Sequence, residues 1–260
     1  MIYAIGDIHG QKAMLDHALS LIENDGGPDA EIVFVGDYTD RGADSRAVID
    51  ALIEGLAAGR NWTCLKGNHD RMFSDFVTSG AEHDPMIAPG LSWVNPRLGG
   101  AATLASYGVI GTPNFKQPNG ELEILTHYTT DTGDLSKDEI VAWAQQQVPQ
   151  SHLDFVNTRA LYHETDSLIF VHAGLRPNIP LAAQDPEDMM WIREGFLETG
   201  HDFGKLLVHG HTAIDYPTHY GTRVNIDAGA GRGRVLVPVV FEDHKCWALT
   251  DEGRVPVVPA

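Results

Sequence analysis

Five short segments carry the residue types from which hydrolytic metal sites are built: Gly6-Asp7-Ile8-His9-Gly10, Gly36-Asp37 with Asp40 and Arg41 just beyond, Gly67-Asn68-His69-Asp70, Val171-His172-Ala173-Gly174 and Gly210-His211-Thr212. Asp7 and His9 are two residues apart. In extended backbone such positions point the same way, so a carboxylate and an imidazole can aim at one point, and the flanking glycines permit a tight exit and close approach. One carboxylate and one imidazole are half of a divalent metal site. Taken alone, the same pair also reads as a strand-to-helix turn with Asp7 as a helix cap. Likewise Asp37 alone reads as a cap, Asn68 as a turn residue and His172 as a buried, hydrogen-bonded histidine. The five segments have to be weighed together, through the elements that position them.

Residues 2–5 form an apolar strand. Residues 11–22 have helical periodicity, with Leu15, Leu19 and Ile22 on one side. Residues 24–28 are a turn. Residues 32–35 are a second strand, apolar throughout as in a sheet covered on both faces. Residues 43–58 are a helix ending at Gly59, and residues 62–65 a third strand. This is a βαβαβ layout with right-handed crossovers. Residues 79–159 differ. They are rich in Gly, Pro and Asn, include WVNPRLGGAATLASYG, and then hold two helical pieces. Ser136-Lys137-Asp138-Glu139 matches a capping box for a helix that stops before Pro149. We read this stretch as a helical insertion over the active-site edge of the sheet, within one domain spanning residues 1–260. Strand patterns return in SLIFVHAG, KLLVHGHT, TRVNIDAG, RVLVPVVF and KCWALT.

Each chemical segment ends a strand, and in an α/β sheet the C-terminal strand ends share the edge where ligands bind. Asp7, His9, Asp37, Asn68, His172 and His211 are therefore expected to converge. They are too many for one tetrahedral metal and suit two metals bridged by a carboxylate.

The net charge of −18 repels phosphate backbones, so nucleic-acid polymers are excluded as partners. Small phosphorylated substrates are not, because a metal centre reverses the field locally. No apolar run reaches the length of a membrane span, and the N-terminus lacks the basic and apolar pattern of a signal peptide. The two cysteines, Cys64 and Cys246, make no disulfide framework, and Cys64 lies in an apolar run that expects a buried thiol. A cytoplasmic location is expected; the sequence sets no oligomeric state.

In order and spacing, GDIHG, GDYTDRG, GNHD, VHAG and GHT, with IDAG near residue 227, resemble the metallophosphoesterases of the calcineurin-like superfamily. The likeness is strongest to the phosphoprotein phosphatase branch and its bacterial serine/threonine members. The resemblance implies a four-layer α-β-β-α sandwich with two mixed sheets. It implies two divalent cations, with manganese the usual activator and Fe, Zn or Co compatible with the same donors. Asp37 would bridge them, Asp7 and His9 completing the first site and Asn68, His172 and His211 the second. His69 would be the general acid for the leaving group, oriented by Asp40. Arg41 and Arg193 would grip phosphoryl oxygens. Lys66 stands where the branch has arginine, which keeps the charge but loses the fork. Thr39 replaces a usual valine, and Ala228 the threonine of IDTG. Ala213, in place of a second histidine after Gly210-His211-Thr212, points to the same branch. The implied activity is phosphomonoester hydrolysis on phosphoserine, phosphothreonine or phosphotyrosine in proteins. The alternatives are hydrolysis of diadenosine polyphosphates or other nucleotides, and a non-catalytic scaffold; the complete ligand set, with His69 and Asp40, speaks against the scaffold. Trp93 and Tyr107 fit core packing better than base stacking, His209 a structural role, and Asp227 a place behind the ligands.

Overall fold

A computed structural model of the chain describes residues 1–87, 90–120 and 122–259. Strands β1 (Ile2–Ile5), β2 (Ile32–Phe34) and β3 (Trp62–Cys64) pair in parallel, joined by helices α1 (Lys12–Gly26) and α2 (Ser45–Ala57). Helix α3 (Asn68–Ser79) starts inside the third motif, with Gly67 as its N-cap and Asn68, His69 and Asp70 in its first turn. The insertion holds α4 (Gly100–Ser106), β4 (Thr112–Lys116), β5 (Ile124–Thr130), β6 (Gly133–Ser136), α5 (Lys137–Gln147) and α6 (Gln150–Asn157). The chain continues through β7 (Tyr162–Glu164), β8 (Leu168–Val171), α7 (Pro186–Trp191), β9 (Leu206–His209), β10 (Thr218–His219), β11 (Arg223–Asn225), β12 (Val239–Glu242), β13 (Lys245–Thr250) and β14 (Gly253–Val257).

Two mixed sheets result, ordered β14-β13-β12-β1-β2-β3 and β10-β11-β9-β8-β7. Strand alternation sorts their side chains into layers. Ala4 and Val33 pack between the sheets against Leu168, Phe170, Leu206, Val208 and Val239. Their neighbours Tyr3, Ile5, Ile32 and Phe34 face the helices, among Leu15, Ile22, Val48 and Leu52. Ile169, Val171 and Leu207 point outward from the second sheet onto Met189, Ile192 and Phe196, around α7. This is the expected α-β-β-α sandwich. Strands β1, β2, β8 and β9 are buried on both faces, which is why they read as unbroken apolar runs.

Besides its helices, the insertion carries a three-stranded antiparallel sheet, β4-β5-β6. It escapes the sequence reading because only Leu125 and Tyr128 of its strand residues are buried, so its alternation is weak. The capping box is formed: Ser136 Oγ accepts from the Glu139 amide, and Glu139 Oε2 accepts from the Ser136 amide at 2.8 Å. Buried Glu82 ties the insertion together, accepting from Ser92 Oγ (2.8 Å), the Leu125 amide (2.9 Å) and Lys137 Nζ (3.1 Å). Trp93, Leu104, Tyr107, Ile140 and Phe155 join the same core as Phe73 and Phe76 of α3. Tyr107 stacks on Phe73 and donates to or accepts from His152 Nδ1 at 2.8 Å, so it is a core residue. Among the described residues no helix is long and apolar enough to cross a membrane.

Candidate active site

The strand ends do converge, and their backbone is strained where they do. Among the described residues, His9, Asp37, Asp40, Arg41 and His211 are five of the seven non-glycine positions with positive φ, between 48° and 74° for these five. Such conformations cost of order 1–3 kcal/mol each and persist where surroundings over-determine them. Asp70 does much of the holding. Its buried carboxylate accepts from the amides of Asp37 (2.9 Å), Tyr38 (2.9 Å) and Gly67 (3.0 Å), locking the second motif to the third. Two glycines leave room for acids: a Cβ on Gly67 would lie 2.1 Å from Asp37 Oδ1, and one on Gly210 2.1 Å from Asp7 Oδ1.

All six expected donors are buried and face one another. Asp37 Oδ2 lies 3.6 Å from His9 Nε2 and 3.5 Å from His172 Nε2. Asp7 Oδ2 is 3.9 Å from His9 Nε2. Asn68 Oδ1 is 2.9 Å from both His172 Nε2 and His211 Nδ1. The tautomers follow from the other ring nitrogens. His9 Nδ1 donates to the Thr39 carbonyl at 2.8 Å, and His172 Nδ1 to the Val35 carbonyl at 2.9 Å. The His172 Nε2 lone pair is therefore turned toward the Asn68 and Asp37 oxygens, and that of His9 toward Asp37, with Arg41 Nη1 also reaching it. Burial pushes the imidazoles down, His172 to about 3, so protonation does not relieve this opposition. Burial pushes Asp7 and Asp37 up, helped at Asp7 by the charge of Asp227 and then of Asp37, and at Asp37 by that of Asp70 and then of Asp40. Acceptor facing acceptor in a dry site is what bound cations resolve. The donor set of carboxylate, imidazole and amide oxygen fits divalent metals, and the clusters His9-Asp37-His69 and Asp37-His172-His211 each bring their donor atoms within 4.8 Å.

Beside the first cluster stands a second unit. His69 Nδ1 lies 2.6 Å from Asp40 Oδ2. The same oxygen accepts from Trp93 Nε1 at 2.8 Å, and Asp40 Oδ1 accepts from Thr103 Oγ1 at 2.8 Å. Burial raises the Asp40 carboxyl to about 7, against the pull of these donors. Burial, then Arg41 and Arg193, hold the His69 imidazole low. Arg41 spans the two units, with Nη1 2.6 Å from His9 Nε2 and Nη2 3.2 Å from His69 Nε2.

The remaining expected residues are placed as follows. Arg193 follows α7, is exposed, and lies in the field of Asp37 and Asp7; among the described residues it forms no ion pair, and Glu198, which could have held it, accepts the Gly195 amide instead. Lys66 reaches sideways to Asn157 Oδ1 of α6 at 3.2 Å. His209 has both ring nitrogens engaged, by Gly210 O and Arg223 Nη1. Trp93, Thr103 and Asp70 are the residues that sequence reasoning missed. Trp93 is buried, and its indole N–H is spent on Asp40 rather than on a base; Asp70 stood inside GNHD, beside a residue already given a role.

Comparison with known proteins is consistent along the chain. A model of the calcineurin-like phosphoesterases matches residues 1–227. The bis(5'-nucleosyl)-tetraphosphatase PrpE [asymmetrical] of Bacillus thuringiensis (strain Al Hakam) is 25% identical, the match covering 98% of this chain and 95% of that protein. The protein of the same name from Bacillus cereus (strain 03BB102) matches equally, at 25% identity. Among solved structures, one provisionally described as a diadenosine tetraphosphatase superposes with a TM-score of 0.60 at 16% identity, covering 100% of this chain and 94% of its own. The cold-active protein-tyrosine phosphatase of a psychrophile Shewanella SP. gives a TM-score of 0.57 at 13% identity, covering 99% and 80%. At such identities the solved structures show a shared fold.

Proposed function

The chain belongs to the calcineurin-like phosphoesterase family, a hydrolase acting on phosphoesters, and from that premise we propose a two-metal enzyme acting on nucleoside polyphosphates, dinucleoside tetraphosphates foremost. The observation that carries the two-metal reading is the opposition of buried acceptors around Asp37. Asp37 would be shared, Asp7 and His9 completing one site and Asn68, His172 and His211 the other. Bound there, two divalent cations, manganese first among those the donors suit, supply Lewis acidity and bring the pKa of water near neutrality.

The chain's own residues do the rest. Arg41 donates to the His9 and His69 lone pairs. A phosphoryl group offers its guanidinium oxygen acceptors in a matching fork. Drawing Arg41 off the His69 ring, and adding phosphate charge, turns the local field toward the imidazolium. His69 then donates from Nε2 to the leaving oxygen while Asp40 holds Nδ1–H. Trp93 and Thr103 keep Asp40 ionised and aimed. Arg193 and Lys66 stand as outer phosphate contacts, Lys66 being the weaker while it is turned to Asn157.

The curated relatives, similar over nearly the whole chain, support the nucleotide substrate class over the phosphoprotein class expected from sequence motifs. Two buried free thiols fit a reducing, cytoplasmic setting. The test is a turnover panel of the manganese-loaded enzyme on p-nitrophenyl phosphate, bis-p-nitrophenyl phosphate, a phosphoserine peptide and diadenosine tetraphosphate. The highest kcat/KM is expected for diadenosine tetraphosphate; a higher value for the phosphopeptide would return the phosphoprotein reading to first place.

A further inference from the structure

Of the twelve arginines in the sequence, eight have a guanidinium that meets an oxygen acceptor: Arg46, Arg60, Arg71, Arg159, Arg176, Arg223, Arg234 and Arg254. No such oxygen meets Arg41, Arg97, Arg193 or Arg232 among the described residues. In a chain with 36 acidic residues and a net charge of −18, leaving four guanidiniums without any oxygen acceptor among the described residues is a costly use of cations. They are not scattered. Arg193 lies in the fields of both Arg41 and Arg232. Arg41, Arg97 and Arg232, with Pro96 and Gly231, line a cavity of about 340 Å³.

That cavity adjoins the metal donors and has firm walls. On one side Gly231 is pressed against the His9 ring, where a Cβ would come within 2.4 Å of Cδ2. Arg232 follows it in a turn closed by its amide bonding the Gly229 carbonyl at 2.9 Å. On the other side, the Arg97 amide donates to Asn95 Oδ1 at 2.8 Å, and Asn95 Nδ2 is held by the Glu123 carboxylate. The loop then returns to Gly99, whose carbonyl accepts the Arg41 amide at 3.3 Å. Both free guanidiniums are therefore carried on braced backbone, next to the arginine assigned to the reacting phosphate.

We propose that Arg97 and Arg232 form a second anion subsite, which takes the phosphate adjoining the one under attack and so selects substrates with a phosphate chain over simple monoesters. The proposal rests on the nucleotide reading above but can fail separately from it. A single phosphoryl group at the Asp37 cluster with Arg41 would satisfy that centre and leave Arg97 and Arg232 unused; a second phosphate in the cavity gives both a forked acceptor.

The test measures competitive inhibition by ADP and by AMP of p-nitrophenyl phosphate hydrolysis by the manganese-loaded enzyme, and titration calorimetry of both nucleotides. The wild type is expected to bind ADP at least about tenfold tighter than AMP. In Arg97→Ala/Arg232→Ala the ratio should fall below about twofold, with the loss for ADP exceeding the loss for AMP or for p-nitrophenyl phosphate at least about fivefold. Arg97→Lys/Arg232→Lys, which keeps the charge without the fork, should lie between. Both side chains are exposed, and an unchanged melting temperature checks that the fold is intact. Equal ADP and AMP affinities in the wild type, or a ratio that survives the double alanine variant, overturn the subsite. If diadenosine tetraphosphate is not turned over while the ADP preference exists and is lost in the variant, the subsite stands and the dinucleoside reading falls.

Discussion

Replacing Trp93 with Phe keeps an aromatic ring against Phe76 and deletes one hydrogen bond, from the indole N–H to Asp40 Oδ2 at 2.8 Å. Both groups are buried, so no water replaces the donor. Burial alone drives the Asp40 carboxyl upward, to about 7 with Thr103 and Trp93 pulling it down. A hydrogen bond to a charged group is worth roughly 1.5–3 kcal/mol, and one pH unit is about 1.4 kcal/mol. The Asp40 pKa should therefore rise by about 1–2 units in Trp93→Phe. His69 needs the ionised carboxylate behind it. Asp40 ionises as pH rises through its pKa, so raising that pKa moves the acid limb of the kcat/KM profile upward by the same 1–2 units. At pH 7, where a carboxyl of pKa about 7 is half ionised, phenyl phosphate, a poor leaving group, should be hydrolysed roughly 5–50-fold more slowly. By pH 9 the deficit should shrink to about twofold or less. The assay is the pH profile of both proteins from pH 5.5 to 9.5 under saturating manganese. A loss equal at every pH would mean that Trp93 matters through packing alone, and an unmoved acid limb would refute its role in tuning Asp40.

His69→Asn should lose more activity on phenyl phosphate or a phosphoserine peptide than on p-nitrophenyl phosphate, whose leaving group needs no proton, within the roughly 10²–10⁴-fold scale of general acids; equal losses with metal still bound would assign His69 to phosphate positioning. Gly67→Ala drives a Cβ to 2.1 Å from Asp37 Oδ1 and should weaken manganese affinity at least about tenfold while costing about 1–3 kcal/mol of stability, read by calorimetry and melting. The metal-free protein should melt in one transition, since insertion and sheets share a core, and saturating manganese should raise its melting temperature by at least about 4 °C, more at pH 7.5 than at pH 5.5. Burial holds the histidines low and pushes Asp7 and Asp37 up, so the carboxylates are the groups that must give up protons to the ions, and they do so more readily as pH rises. An equal shift at both pH values would contradict the buried-carboxylate account.

The legible part of the site was the part whose chemistry is written in residue type. Aspartate, histidine and asparagine at strand ends announce their use, because few other roles place them between glycines at a sheet edge, and the unbroken apolar strands that carry them are hard to misread. What supports them was not legible. Trp93 and Thr103 reach Asp40 across more than fifty residues of chain, and an indole N–H spent on a carboxylate looks in sequence like any core tryptophan. Asp70 carries three backbone bonds that depend on the folded path of two loops. The β4-β5-β6 sheet was hidden by its half-exposed faces. Arg97 and Arg232 lie on loops far apart in sequence, and that their guanidiniums meet no oxygen acceptor among the described residues is a property of the fold alone.

The most direct test of the central claim is manganese stoichiometry alongside turnover, by elemental analysis and native mass spectrometry after desalting from saturating manganese. The account predicts two ions per wild-type chain. It predicts one in His172→Ala, and in Asp37→Asn the loss of both retention and turnover. A single ion in the wild type, or two ions with intact turnover in Asp37→Asn, would contradict it.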